Sequence, residues 1–124
     1  ANGKVLKISL WGKTAAGAST RTMKLYWNGS SIGTKASTDA SGNWRIEAII
    51  MRTGASAQSA FVICWIEAGG INTATLVAAS SSHQSVWDTL AADTTGAIAI
   101  KTTLQDSAAG TNVTQLGFLI EVLG

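Results

Sequence analysis

Apolar and polar residues alternate along most of the chain with a period of two, the pattern of strands with one face buried. Val5 to Trp11 reads as a first strand, with Leu6, Ile8 and Leu10 on one face and Lys7, Ser9 and Trp11 on the other. Gly12 to Thr20 is a loop of small residues. Arg21 to Trp27 reads as a second strand, with Met23, Leu25 and Trp27 sharing a face. Asn28-Gly29 follows, a pair favoured in two-residue hairpin turns because both residues tolerate positive φ. The turn predicts a third strand around Ile32 to Ser37, and residues 38–43 form the next loop.

The fourth strand has the clearest alternation. Trp44, Ile46, Ala48 and Ile50 lie on one side, and Arg45, Glu47, Ile49 and Met51 on the other. The fifth, about Gln58 to Glu67, is apolar on both sides: Phe61, Ile63 and Trp65 on one, Ala60, Val62, Cys64 and Ile66 on the other. A strand apolar on both faces asks for cover on both. In a two-sheet domain the second sheet covers only the inner face. The outer face then needs a neighbouring subunit or, alternatively, the segment from Ser80 to Ala92 folded over it.

Ala68-Gly69-Gly70 ends that run, and a sixth strand is expected over Thr73 to Ala79. His83 to Ala92 fits a helical turn or an extended excursion equally well. The last two strands are expected over Ala97 to Leu104 and Val113 to Leu123, with Leu116, Phe118, Ile120 and Val122 sharing a face. Eight short strands without an amphipathic helix predict an all-β fold, an antiparallel two-sheet β-sandwich of jelly-roll type. One domain, residues 1–124, accounts for the length.

Composition sharpens this reading. Charged residues are only 13% of the chain, about half the usual share, so the polar surface is built from Ser, Thr, Asn, Gln and Gly. Few long mobile charges suits close contact between subunits. The net charge of +2 and the scattered Lys and Arg give no electrostatic footprint for nucleic acid. No apolar run approaches the roughly 18 residues of a membrane helix. The start, Ala1-Asn2-Gly3, is compatible with loss of an initiator Met or with a domain cut from a longer protein.

Candidate chemistry is sparse, and no catalytic, cofactor or metal residue is assigned. Cys64 is the only cysteine and sits in an apolar run, as a buried small hydrophobe does. His83 lies near Ser81, Ser82, Ser85 and Asp88, but no nucleophile elbow accompanies it. Clustered oxygen ligands for calcium are lacking, the loop around Asp39 carrying too little charge and Asp88 and Asp93 being the nearest pair of acids. Glu47 and Glu67 are the only carboxylates placed to suggest a glycosidase pair, and Glu47 is more simply the partner of Arg45 or Arg52. Of the five tryptophans, Trp27, Trp44 and Trp65 belong to apolar stripes and are expected in the core. Trp11 and Trp87 are expected to be exposed, where an aromatic ring serves an interface or a sugar.

Several segments together carry a resemblance. They are Trp11-Gly12-Lys13-Thr14-Ala15-Ala16, Thr22-Met23-Lys24-Leu25-Tyr26-Trp27 and the central Trp44-Arg45-Ile46-Glu47-Ala48-Ile49-Ile50-Met51-Arg52-Thr53-Gly54 with Gln58. Gly96-Ala97-Ile98-Ala99-Ile100-Lys101-Thr102, then Asn112-Val113 and Gly117-Phe118-Leu119-Ile120-Glu121, complete the set. In order, from about Lys4 to Leu123, they resemble the jelly-roll module of bacteriophage virion appendages: head fibres, capsid decoration proteins and tail-fibre or spike tips. Ile71 to Asp93 fits that pattern poorly. The resemblance implies a homotrimer on the particle surface, assembled in the bacterial cytoplasm, that contacts other virion proteins and in some settings a host glycan or receptor. It implies no catalytic residues, no cofactor, no nucleic acid and no membrane. The alternative function is a stand-alone carbohydrate-binding β-sandwich.

Overall fold

The computed structural model describes residues 2–14, 20–37, 42–68, 82–106 and 113–123. These form eight strands and, among the described residues, no helix: β1 (Val5–Thr14), β2 (Arg21–Trp27), β3 (Ser30–Ser37), β4 (Gly42–Gly54), β5 (Ala57–Ala68), β6 (Ser82–Leu90), β7 (Ile100–Asp106) and β8 (Val113–Leu123). They make two antiparallel sheets. The larger runs β6-β5-β4-β1-β8 and the smaller β3-β2-β7.

One apolar core joins the sheets. Ile8 and Leu10 of β1, Trp44, Ile46, Ala48 and Ile50 of β4, and Ala60, Val62 and Cys64 of β5 face Met23, Leu25 and Trp27 of β2. The alternation of each strand thus decides its inner face, and Cys64 is buried as expected. β3 crosses close above β5 at Gly33, where an added Cβ would stand 2.8 Å from Val62 Cγ1.

The hairpin between β2 and β3 turns on Asn28 and Gly29, with φ of 46° and 89°. Both angles are positive, as a two-residue turn matching the strand twist requires. At the same end of the core as this turn, Gln58 is buried and holds the segment after β6. Its amide nitrogen donates to the Ala92 carbonyl at 2.8 Å, and its oxygen accepts from Ala92 N at 3.2 Å and Trp27 Nε1 at 3.4 Å. Gln58→Leu leaves these groups without partners, and an unfilled buried polar group costs about 1–3 kcal/mol. A loss of that size in the urea unfolding free energy is expected.

Two expectations shift. The segment from His83, compatible with a helical turn or an extended excursion, is extended as strand β6; it widens the sheet beside β5 and so does not lie over the outer face of β5. The seventh strand starts at Ile100 and reaches Asp106, because its pairing with β2 sets Arg21 opposite Asp106 and Trp27 opposite Ile100. The strand expected over Thr73 to Ala79 lies outside the described residues.

Candidate subunit interface

β8 brings the chain's C-terminal apolar run against β1. Its register places Leu123, Glu121, Leu119 and Gly117 beside Val5, Lys7, Ser9 and Trp11, so these residues share the outer face of the large sheet. A bulge then intervenes: Trp11 faces Gly117 but Gly12 faces Gln115, which leaves Leu116 as the extra residue. Leu116 therefore does not continue the stripe of Phe118, Ile120 and Val122. Beyond the bulge Val113 takes over the inward position and packs on the core. The bulge also frees the Thr114 carbonyl, which accepts from Trp44 Nε1 at 3.2 Å.

β4 and β5 continue the same outer face, with Met51 opposite Val5, Ile49 opposite Lys7, Glu47 opposite Ser9 and Arg45 opposite Trp11. Phe61, Ile63 and Trp65 of β5 follow beside Ile49, Glu47 and Arg45. A charged cluster sits in the middle. Glu47 meets Arg45 Nη2 at 3.1 Å and Lys7 Nζ at 3.5 Å, and the Arg45 guanidinium stands 5.3 Å from the Trp65 ring centre. Around this cluster the face is apolar and open. Trp11, Ile49, Met51, Leu119 and Leu123 are each exposed by 39–44%, while Phe61, Ile63 and Trp65 are half-buried. Large apolar surface on one continuous face is a mark of an interaction site.

The inner face of β8 is open for a different reason. Strands lie about 4.8 Å apart, so five strands span roughly 19 Å and three only about 10 Å. The small sheet meets β8 only through its edge strand β7, and Phe118, Ile120 and Val122 are 40%, 42% and 67% exposed. Beneath them opens a cleft of about 350 Å³, whose walls include Leu6, Trp27, Ile50, Ile98, Ile100 and Ile120. Lys4 and Arg52 also line it.

Among the other residues singled out in the sequence, Trp27 and Trp44 are buried in the core and Trp11 is exposed, as expected. Trp65 is not a core residue: it lies on the outer face under Arg45, because Cys64 and Val62 take the inward positions of β5. Trp87 pairs with Phe61 in register, and its side chain lies outside the described residues. Glu47 finds Arg45, as expected, whereas Arg52 bonds Thr94 Oγ1 at 2.7 Å. Glu67 is opposite Asn43 while Glu47 is opposite Ile63, four residues away on the same strand, so the register separates the two acids by roughly 13 Å along the strands.

The side chains of His83, Ser85 and Asp88, and Ser81 and residues 38–41 altogether, lie outside the described residues. Among the described residues no three His, Cys, Asp or Glu side chains gather as metal ligands. Asp93 is a turn residue: the hydroxyl of Thr95 donates to its carboxylate at 2.7 Å and the Thr95 N–H at 2.9 Å, and these bonds hold its pKa below the usual carboxylate value. The missed feature was the second apolar strand edge, β8; its double-sided run Phe118-Leu119-Ile120 was the signal for it.

Compared with known proteins, the chain matches no family model, no curated protein and no solved structure.

Proposed function

We propose that this chain is a structural module of a bacteriophage virion, a capsid decoration protein, head fibre or tail-fibre tip, that works by contact as a homotrimer. The observation that carries the reading is the outer face of the large sheet, where Trp11, Ile49, Met51, Leu119 and Leu123 are exposed together. A neighbour docking there removes apolar area from water at about 25 cal/mol per Å². The central Lys7–Glu47–Arg45 cluster gives such a contact a polar register mark.

Of the pairs a jelly-roll winding makes, β1 with β8, β2 with β7 and β4 with β5 are present, while β3 pairs with β2 and β6 with β5. Rolling up a long folded ribbon produces the first three pairs. The low charge content and the order of the resembling segments support a particle-surface setting, with capsid or fibre components as partners and a host glycan or receptor as a further contact. Three identical modules would present any host-binding loop three times, which raises weak affinity by avidity.

Size exclusion with light scattering tests the trimer. Chains of 12.7 kDa give a trimer of about 38 kDa, and that mass is the expected result. A monomer at all concentrations overturns it. The stand-alone carbohydrate-binding reading then takes its place, with the exposed Trp11 ring as the stacking surface.

A further inference from the structure

We propose that the cleft beneath the inner face of β8 is a binding site for a medium-chain alkyl carboxylate, with its carboxylate held at the Lys4–Arg52 end. This inference does not rest on the trimer, whose contact is assigned to the opposite face of the sheet.

The cleft combines the two halves of an amphiphile's chemistry. Its volume, about 350 Å³, falls within the range of small-ligand sites. Trp27, Ile50, Ile98, Ile100, Ile120 and Val122 give it an apolar wall, and such walls take up apolar molecules readily. Among the described residues, the charged ones that line it are Lys4 and Arg52, both cationic.

The two residues are also neighbours along the backbone ladder. Gly3 N donates to the Arg52 carbonyl at 2.7 Å, and Arg52 N donates to the Lys4 carbonyl at 2.9 Å, so the backbone fixes residue 4 beside residue 52. The Arg52 guanidinium is steadied by Thr94 Oγ1 at 2.7 Å, itself on the cleft lining, and by Asn2 Oδ1 at 3.5 Å. A carboxylate bound there gains charge-assisted hydrogen bonds while its chain leaves water against the isoleucines. A neutral chain gains only the second term, and a short anion only the first.

Calorimetric titration of the full chain with hexanoate, octanoate and octan-1-ol separates these terms. Each methylene buried contributes about a fourfold gain in affinity, so octanoate is expected to bind about 15-fold tighter than hexanoate. Arg52→Gln and Lys4→Gln are each expected to weaken octanoate about tenfold and leave octan-1-ol unchanged. Ile98→Trp, which fills the cleft, is expected to abolish both. Circular dichroism melting identifies any variant that fails to fold, and the two rim substitutions serve as independent versions of one test. Absence of saturable octanoate binding overturns the proposal, as does equal affinity for hexanoate and octanoate. Octanoate binding unaffected by both rim substitutions overturns the assignment of its carboxylate. None of these outcomes depends on the mass found by light scattering.

Discussion

Gly12→Ala is expected to remove about 3–5 kcal/mol of stability, a large part of the roughly 5–15 kcal/mol that holds a small domain folded. An added Cβ at this position would overlap the Thr114 carbonyl oxygen and lie 2.6 Å from Trp44 Nε1 and 2.7 Å from its Cε2. Neither neighbour has room to yield. Trp44 is 1% exposed, wedged in the core, and its indole N–H is committed to the same Thr114 carbonyl. Relief means breaking that bond and lifting β8 away from β1 at the bulge. Overpacking alone costs about 1–3 kcal/mol, and the stranded indole N–H adds to it.

Gly117→Ala is the control. Its Cβ would overlap the indole of Trp11, equally close on paper, but that ring is 40% exposed and can swing outward. A cost below about 1 kcal/mol is expected there. Urea unfolding of the two variants makes the comparison, and equal costs would falsify this account of Gly12.

The second large effect concerns assembly. Met51→Lys combined with Leu119→Lys should reduce the solution mass from about 38 kDa to the 12.7 kDa of one chain. Fully burying a side chain of this size is worth about 1.5–3 kcal/mol, and these two start about 40% exposed. Each therefore contributes roughly 1 kcal/mol per copy, or about 6 kcal/mol over a trimer, near a 10⁴-fold change in association. Ammonium groups held in an apolar contact add a further penalty. The fold of each chain should survive, because exposed substitutions rarely move stability by more than about 0.5 kcal/mol. A trimer that persists in this variant would remove the outer face as its contact and point to the free edge of β8.

Individual strands were legible in the sequence because the second-sheet and solvent faces impose a strict period. The two sides of β4, Trp44-Ile46-Ala48-Ile50 and Arg45-Glu47-Ile49-Met51, are the inner and outer faces of the sheet. β6 was not legible, since Ser82-His83-Gln84-Ser85 carries no hydrophobic period and gains its strand form by pairing with β5. Trp65 was misplaced because both sides of β5 are apolar stripes and membership of one does not say which faces inward; the closely approaching β3 favours the smaller Val62 and Cys64 there.

The interface was half legible. The doubled apolar character of β5 pointed to the outer face, but its extension to Leu119 and Leu123 depends on β8 lying beside β1, a pairing across the length of the chain. Alternation fixes which way a side chain points and is silent about which strand stands next to it. The bulge at Leu116 was hidden for a related reason: it answers to Trp44 and Gly12 on other strands.

That long-range pairing also has a temporal side. β1 sits between β4 and β8, and its residues precede their β8 partners by roughly a hundred positions. At about 5–20 residues per second, a ribosome makes β1 some 5–20 s before β8 exists. Through that interval β4 can cover one side of β1 while the other side stays an open strand edge. Fast local folding cannot close it. Each nascent chain thus carries, for several seconds, an edge that another chain's β8 could fill as well as its own, and crowded synthesis on one message would favour exchange of that strand between copies.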